Sequence, residues 1–144
     1  MRLNFKNATI GSVKEVSVRI IGSNNDYLES FEDLKSQIKF ENIFVVSSSA
    51  NTQRGQHAHL RATQYLFCLA GLVEVEVSDG IDSIKRLLQP KNFGLRIPSG
   101  LWAIQNFKAD SILMVISSEK YDESEYIRDY SLFKKKKNIL WRLQ

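Results

Sequence analysis

The chain has 144 residues, of which 43% are hydrophobic and 25% are charged, and its formal net charge is +4. This balance is typical of one soluble globular domain and excludes disordered, collagen-like and linker-dominated chains. No apolar run approaches the ~20 residues that cross a membrane, and the start shows no secretory signal. We therefore expect a cytoplasmic protein with no membrane partner.

The first predicted element is a weak one. Leu28, Phe31 and Leu34 recur at helical spacing, which predicts a turn or two of helix within Tyr27–Ile38. After it come six segments whose composition and periodicity predict β-strands. They are Ile43–Val46, Tyr65–Ala70, Leu72–Val77, Ser83–Leu88, Gly94–Pro98 and Ser111–Ile116.

Two further local signals complete the chain. Asp79 and Gly80 lie between two of the predicted strands and predict a hairpin turn. Ser124 is a candidate helix cap and predicts a second short helix over Ser124–Phe133, in which we interpret Tyr126 and Arg128 as packing and ion-pairing residues. Many short strands joined by turns predict a β-sandwich or β-barrel.

The basic charge is concentrated near the C-terminus. Lys134–Lys137 form one run of four lysines, which accounts for the whole net charge. A nucleic-acid-binding surface distributes Arg and Lys among aromatic residues across a face, so we expect no nucleic-acid partner. We expect residues 134–144 to form a solvated basic tail after a single domain of residues 1–133.

The two histidines of the chain are His57 and His59. A spacing of two on a strand places both imidazoles on the same face of a sheet. If that face lines a barrel interior, the rings converge on one pocket; the alternative is two histidines with no joint role. Imidazole titrates near neutral pH, so a convergent pair suits proton transfer.

The surroundings of the histidines resemble the paired motifs of the cupin superfamily, which are built around a metal site. His57 and His59 are followed by Gln64 where cupins carry a carboxylate, and by Ala103 where they carry a third histidine. Two imidazoles and a neutral amide hold a divalent cation poorly. We therefore expect a pocket that holds no metal and needs no cofactor.

The chain also resembles a narrower family, the sugar-nucleotide 3,4-ketoisomerases, over about residues 40 to 133. The matching residues are Arg54-Gly55-x-His57-Ala58-His59, Gln64, Asp79-Gly80, Leu95-x-x-Pro98, Trp102 and the stretch from Ser118 to Tyr130 that contains Tyr-Asp-Glu and Tyr-Ile-Arg. The resemblance implies an all-β, cupin-like antiparallel barrel or jelly roll with one or two short helices. It also implies a homodimer that acts on a dTDP-linked 4-keto-6-deoxy sugar in deoxysugar biosynthesis for surface glycans.

The resemblance further implies roles for individual residues. His59 is the main proton-transferring residue, His57 is its neighbour in the site, and Arg54 binds the diphosphate. Gln64 faces the pocket. Arg96 and Trp102 are candidate substrate contacts, with a solvated outer-face arginine and a core tryptophan as the alternatives.

Three positions depart from the family pattern: Asn25 near the N-terminus, Phe44 where an aromatic hydroxyl is usual, and Ala103 after the tryptophan. They leave the stereochemistry of the product open. Two other functions stay open as well, a related sugar-nucleotide epimerase and a non-catalytic cupin that binds the sugar nucleotide.

Overall fold

The computed structural model describes residues 4, 5, 7–37 and 39–142. Twelve β-strands are followed by one α-helix, α1 at Tyr130–Arg142. In chain order the strands are β1 Lys14–Val16, β2 Arg19–Gly22, β3 Tyr27–Ser30, β4 Asn42–Ser48, β5 Thr52–His59, β6 Gln64–Ala70, β7 Val73–Ser78, β8 Ser83–Leu88, β9 Gly94–Ile97, β10 Trp102–Phe107, β11 Ser111–Ser117 and β12 Tyr126–Ile127. Short 3₁₀ helices lie at Ile10–Ser12, Glu32–Ser36 and Glu123–Glu125.

Ten of the strands form two antiparallel five-stranded sheets. The first has the order β1-β9-β6-β11-β4 and the second the order β12-β5-β10-β7-β8, while β2 and β3 pair as a separate hairpin. All six segments predicted to be strands are strands, and the predicted all-β, cupin-like class is confirmed. In the part of the chain that is described, no helix is long and apolar enough to cross a membrane.

The main core lies where the inner faces of the two sheets meet. Strands β6, β9 and β11 contribute Leu66, Leu95 and Leu113, and strand β7 contributes its alternate residues Val73 and Val75, all fully buried. The period of two in β7 explains this arrangement, because Glu74 and Glu76 fall on the opposite, wetter face.

Each sheet also has a covered outer face. On the first sheet, Tyr65 and Phe67 of β6 pack with Leu34 of the 3₁₀ helix at Glu32–Ser36. On the second sheet, Trp102 of β10 packs with Phe133 of helix α1. Side chains of β5 and β10 that point toward α1 are therefore on the far side of the sheet from the main core.

The two predicted helices differ from the structure. Within Tyr27–Ile38, the first four residues form β3 and only Glu32–Ser36 is helical, as a 3₁₀ turn; Ile38 lies outside the described residues. The predicted helix over Ser124–Phe133 is wrong as one element, because Tyr126 and Ile127 pair with the end of β5 and the helix begins only at Tyr130.

The basic run also differs from the expected solvated tail. It lies on helix α1, and Lys137 is almost completely buried. Its amine donates hydrogen bonds to the carbonyl oxygens of Phe5, at 2.9 Å, and Ala8, at 2.7 Å. Burial lowers the pKa of Lys137 to about 8, although the nearby Asp79 carboxylate acts in the opposite direction. One lysine of the run therefore fastens the N-terminal segment to helix α1; residues 143 and 144 lie outside the described residues.

Candidate active site

A cavity of about 160 Å³ lies between the two sheets, beside the middle of β5 and β10. The first sheet contributes apolar residues and Gln64, and the second sheet with the segment after β12 contributes mainly polar and aromatic residues. The lining residues are Phe44, Val46, Arg54, Gly55, His57, Gln64, Gln105, Val115, Tyr126 and Arg128. A neighbouring cavity of about 250 Å³ shares the lining residues Phe44, Gln64 and Tyr126 with it, and we refer to the two adjacent cavities together as the groove.

A β-bulge in β5 brings Arg54 into this cavity. His57 lies opposite Ala103 of β10, whereas Gly55 already lies opposite Ile104, so Gln56 is an extra residue in the ladder. Without the bulge, a spacing of three would place Arg54 and His57 on opposite faces. With the bulge, both side chains line the same cavity.

Glycine is required at this bulge. Gly55 has φ +84°, and a Cβ built on it would lie 2.9 Å from the carbonyl oxygen of Ala103. Side chains rarely adopt this backbone conformation, and a Cβ that close to a backbone oxygen forces the chain to move. In the Arg-Gly pair of the sequence motif, the glycine thus permits the bulge that orients the arginine.

His57 is a neutral, partly buried imidazole. Its Nδ1 lies 3.0 Å from the carbonyl oxygen of Gly55. Since a carbonyl only accepts, Nδ1 carries the hydrogen and Nε2 carries the lone pair. Burial, followed by the proximity of His59, lowers the pKa of His57 to about 4. His57 is therefore uncharged at neutral pH and presents an acceptor nitrogen.

His59 lies one layer behind the cavity wall. Its ring packs against the rings of His57 and Tyr126, with centroid distances of 4.9 Å and 4.4 Å. Nδ1 of His59 lies 2.5 Å from Oε1 of Glu125. Nε2 is buried and has no hydrogen-bond partner among the described residues. A buried polar atom without a partner costs about 1–3 kcal/mol, which marks Nε2 as a functional candidate.

The segment after β11 forms the remaining wall of the groove. Tyr126 of β12 pairs with His59, which places its ring over both histidines. The Arg128 guanidinium lies 4.6 Å from the centroid of the Tyr126 ring and forms two hydrogen bonds with Glu123, of 2.6 and 2.9 Å. Through these hydrogen bonds, the pKa of the Glu123 carboxyl falls to about 2.

Two positions that carry metal ligands in cupins are occupied here by residues that are not typical ligands, Gln64 and Ala103. Gln64 lines the cavity, and Ala103 lies directly opposite His57. Among the described residues, no group of three or more His, Cys, Asp or Glu side chains is arranged to hold a metal ion. The amide and the methyl group do not fit the donor set of a divalent cation.

Two of the candidate substrate contacts lie elsewhere. Arg96 is opposite Lys14 and Tyr65 on the outer face of the first sheet, where it lines a separate groove. Strand alternation accounts for this, because Leu95 occupies the core face. Trp102 lies opposite Ala58, whose face is turned away from His57, and packs against Tyr130 and Phe133. The structure therefore separates Arg96 and Trp102 from the histidine cavity.

Sequence reasoning missed four residues of the site. Gln105, Tyr126 and Arg128 line the cavity, and Glu125 holds His59. The only signal was the Tyr-Asp-Glu…Tyr-Ile-Arg stretch, which we interpreted as packing and ion-pairing residues. Nothing local to Glu125 indicates a histidine partner 66 positions away in the chain.

Comparisons with known proteins agree with this architecture. The profile of the family described as FdtA: WxcM-like, C-terminal matches residues 12–138. A curated relative from Aneurinibacillus thermoaerophilus, TDP-4-oxo-6-deoxy-alpha-D-glucose-3,4-oxoisomerase, is 34% identical over 93 residues, which are 64% of this chain and 67% of the relative.

Two solved structures are similar over nearly the whole chain. A 3,4-ketoisomerase from Helicobacter canadensis has a TM-score of 0.80 at 30% identity, covering 88% of this chain and 97% of its own. WlaRA, a TDP-fucose-3,4-ketoisomerase from Campylobacter jejuni, has a TM-score of 0.78 at 31% identity, covering 90% and 98%.

Proposed function

The chain belongs to the FdtA, WxcM-like family, and from this membership we propose that it is a 3,4-ketoisomerase of a dTDP-linked 4-keto-6-deoxyhexose. The observation that carries the proposal beyond the family is the pair of acceptor nitrogens beside the cavity. Nε2 of His57 and the partnerless Nε2 of His59 lie on adjacent, packed rings.

The reaction moves a ketone from carbon 4 to carbon 3 of the sugar without an external oxidant. The ketone at carbon 4 acidifies the hydrogen on carbon 3. His59 Nε2 removes that hydrogen as a proton, and an enediolate forms across carbons 3 and 4. A proton then adds to carbon 4, and the proton of the carbon-3 hydroxyl passes to the oxygen on carbon 4, so carbon 4 becomes an alcohol carbon and carbon 3 becomes the ketone.

The two histidines suit different parts of this sequence. His57 is neutral at pH 7 and presents Nε2 to the cavity, so it accepts a hydrogen bond from a sugar hydroxyl. His59 is shielded from the cavity by the Tyr126 ring. We propose that the sugar displaces this ring to reach Nε2 of His59. Each positioned acid or base contributes about 10²–10⁴-fold to the rate.

Arg54 is the proposed diphosphate ligand. Its side chain is exposed at the cavity, on the same face as His57. A guanidinium offers a planar fork of donors that matches phosphate oxygens. Arg128 is a second arginine at the cavity, but it is already paired with Glu123. Arg54 is therefore better placed to hold the two phosphates.

We also propose that the enzyme works as a homodimer. Its cytoplasmic location is a prediction from the sequence. Strand β4 ends the first sheet and exposes Ile43 and Val45 to about half of their full extent. An exposed apolar edge strand favours pairing with another chain. Light scattering on the purified protein measures the mass of the assembly directly.

The test is a reaction with dTDP-4-keto-6-deoxyglucose in deuterated water containing a chelator, followed by NMR. We expect a 3-keto product from the wild-type protein, with no need for added metal. We expect His59→Asn to remove most turnover and to leave dTDP affinity within a few-fold, because Arg54 is intact in that variant. Near wild-type turnover in His59→Asn would contradict the role of His59.

The same experiment separates the alternative functions. An epimerase exchanges deuterium into the sugar next to the ketone while the ketone stays at carbon 4. A binding protein without catalytic activity leaves the sugar unchanged and still binds dTDP. Restoration of activity in the chelated protein by one metal ion alone would show that the metal-free proposal is wrong.

A further inference from the structure

Glu125 is a buried carboxylate with a complete set of hydrogen-bond partners. Its Oε2 accepts hydrogen bonds from the backbone N–H groups of Arg61, at 3.0 Å, and Ala62, at 3.1 Å. Its Oε1 lies 2.5 Å from Nδ1 of His59. Both oxygens are thus committed to the end of β5 and to the turn that follows it.

The protonation of this pair follows from its partners. Burial opposes ionisation of Glu125, but the hydrogen bonds from His59 and from the two backbone N–H groups outweigh it, and the pKa of Glu125 lies below its ordinary value. An ionised carboxylate only accepts hydrogen bonds. Nδ1 of His59 is therefore the donor, and in the neutral imidazole the lone pair is on Nε2.

The backbone around Glu125 holds this geometry in place. Leu60 donates its N–H to the carbonyl oxygen of Glu125 at 2.8 Å, and the next residue, Tyr126, pairs with His59. Before Glu125, the Asp122 side chain accepts the Ser124 N–H and caps the short 3₁₀ helix. The carboxylate is consequently fixed on both sides before any substrate arrives.

From this geometry we propose that Glu125 is a positioning residue, which fixes the tautomer and orientation of His59 so that Nε2 is the acceptor available to the substrate. The inference rests on the proposed function for its catalytic consequence, but the placement of the proton stands on the structure alone. In other enzymes, a carboxylate that orients a histidine in this way is worth about 10⁴-fold in kcat.

A glutamine at this position has a predictable orientation. The two backbone N–H groups at Oε2 require an acceptor, so the amide oxygen takes that place. The amide NH₂ then faces Nδ1 of His59, which must accept instead of donate. The hydrogen of the neutral imidazole moves to Nε2, and the lone pair is withdrawn from the substrate side.

The experiment combines NMR with kinetics on Glu125→Gln. The chain has two histidines, so ¹⁵N-histidine labelling of the untagged protein gives two rings, and His57→Gln assigns them. In the wild type we expect the hydrogen of neutral His59 on Nδ1. In Glu125→Gln we expect it on Nε2, with kcat reduced about 10²–10⁴-fold and KM within a few-fold.

Asp79→Asn is the matched control. Asp79 is the other buried carboxylate of the described residues, and it accepts N–H groups from Ile10, Ile81 and Asp82 without touching a histidine. We expect this variant to lose stability while the His59 signals stay unchanged. Glu125→Asp, which keeps the carboxylate, should retain the Nδ1–H tautomer and more activity than Glu125→Gln.

A wild-type Nδ1–H signal in Glu125→Gln would overturn the inference. So would a kcat within about three-fold of wild type in Glu125→Gln if His59→Asn has lost most of its turnover. The tautomer is measured without substrate, so its outcome is independent of the reaction. If Glu125→Gln moves the hydrogen while His59→Asn remains fully active, then Glu125 positions His59 as inferred and the proposed catalytic role of His59 is the part that fails.

Discussion

Replacing Gly55 by alanine tests whether the bulge in β5 is what places Arg54 in the cavity. At φ +84° a side chain costs about 1–2 kcal/mol. The new Cβ would also lie 2.9 Å from the carbonyl oxygen of Ala103, and neither backbone segment yields easily. Relief of this strain requires residues 55 and 56 to return to an extended conformation. That change removes the extra residue and turns Arg54 to the outer face.

Gly80→Ala provides the control for the backbone cost alone. Gly80 has φ +94°, but the nearest atoms to its added Cβ are side-chain atoms at 3.8 Å. We expect the positive φ to lower the free energy of unfolding by about 1–2 kcal/mol in both variants. In Gly55→Ala the clash should lower it by at least about 1 kcal/mol more. For a domain of this size each kcal/mol lowers Tm by about 2–8 °C.

The binding measurement is a calorimetric titration with dTDP. If the bulge alone orients Arg54, Gly55→Ala loses the charge-assisted contact, which is worth about 1.5–3 kcal/mol or about 10- to 150-fold in affinity. Gly80→Ala should bind as the wild type does. Wild-type affinity in Gly55→Ala, together with a Tm no lower than that of Gly80→Ala, would refute the reasoning.

Two further outcomes are expected. Arg54→Ala should weaken dTDP binding by about 10- to 150-fold, and Arg54→Lys should weaken it less, because lysine offers a point charge in place of a planar fork of donors. Arg96→Ala, on the outer face, should bind dTDP as the wild type does. If Arg96→Ala loses affinity and Arg54→Ala does not, Arg96 is the diphosphate ligand. The unfolded chain protonates His57 near pH 6.5 and the folded chain only near 4, so stability should fall as the pH drops through this window. Between pH 7 and pH 5, the loss in urea unfolding should be about 2 kcal/mol larger for the wild type than for His57→Gln; equal losses would contradict the lowered pKa.

The strands that sequence reasoning found differ physically from those it missed. Strands such as β6, β7 and β11 are rich in β-branched and aromatic residues because they fill the core. Strand β5 reads Thr-Gln-Arg-Gly-Gln-His-Ala-His and shows no apolar period. It faces a polar cavity and carries a bulge that interrupts the alternation. The polar residues and the bulge that form the site in β5 are therefore also the reason that its sequence lacks the period of two expected for a strand.

The site was predictable in part for a similar reason. The common face of His57 and His59 follows from local geometry, whereas the inward position of Gln64 was implied by the resemblance to cupins. Arg54 was expected at the pocket because of the family resemblance, and the structure shows that the bulge in β5 is what places its side chain there. The contact between His59 and Glu125 depends on the pairing of β12 with β5, which no local pattern encodes.

The C-terminal segment shows how tertiary pairing overrides local helical spacing. Tyr126, Tyr130 and Phe133 have the spacing of one helical face, but Tyr126 and Ile127 bond to β5 instead. The helix starts after Asp129, whose carboxylate accepts the N–H of Leu132 at 3.1 Å as a cap.

Lys137 has a consequence for the order in which this protein is completed during synthesis. The carbonyl oxygens that its amine holds belong to residues made 132 and 129 positions earlier. The N-terminal segment therefore stays without its final partner until helix α1 has been made and has folded. Contacts of such long sequence separation form slowly, since a loop of nearly the whole chain must close first. The segment around Phe5 and Ala8 is thus among the last to reach its final contacts.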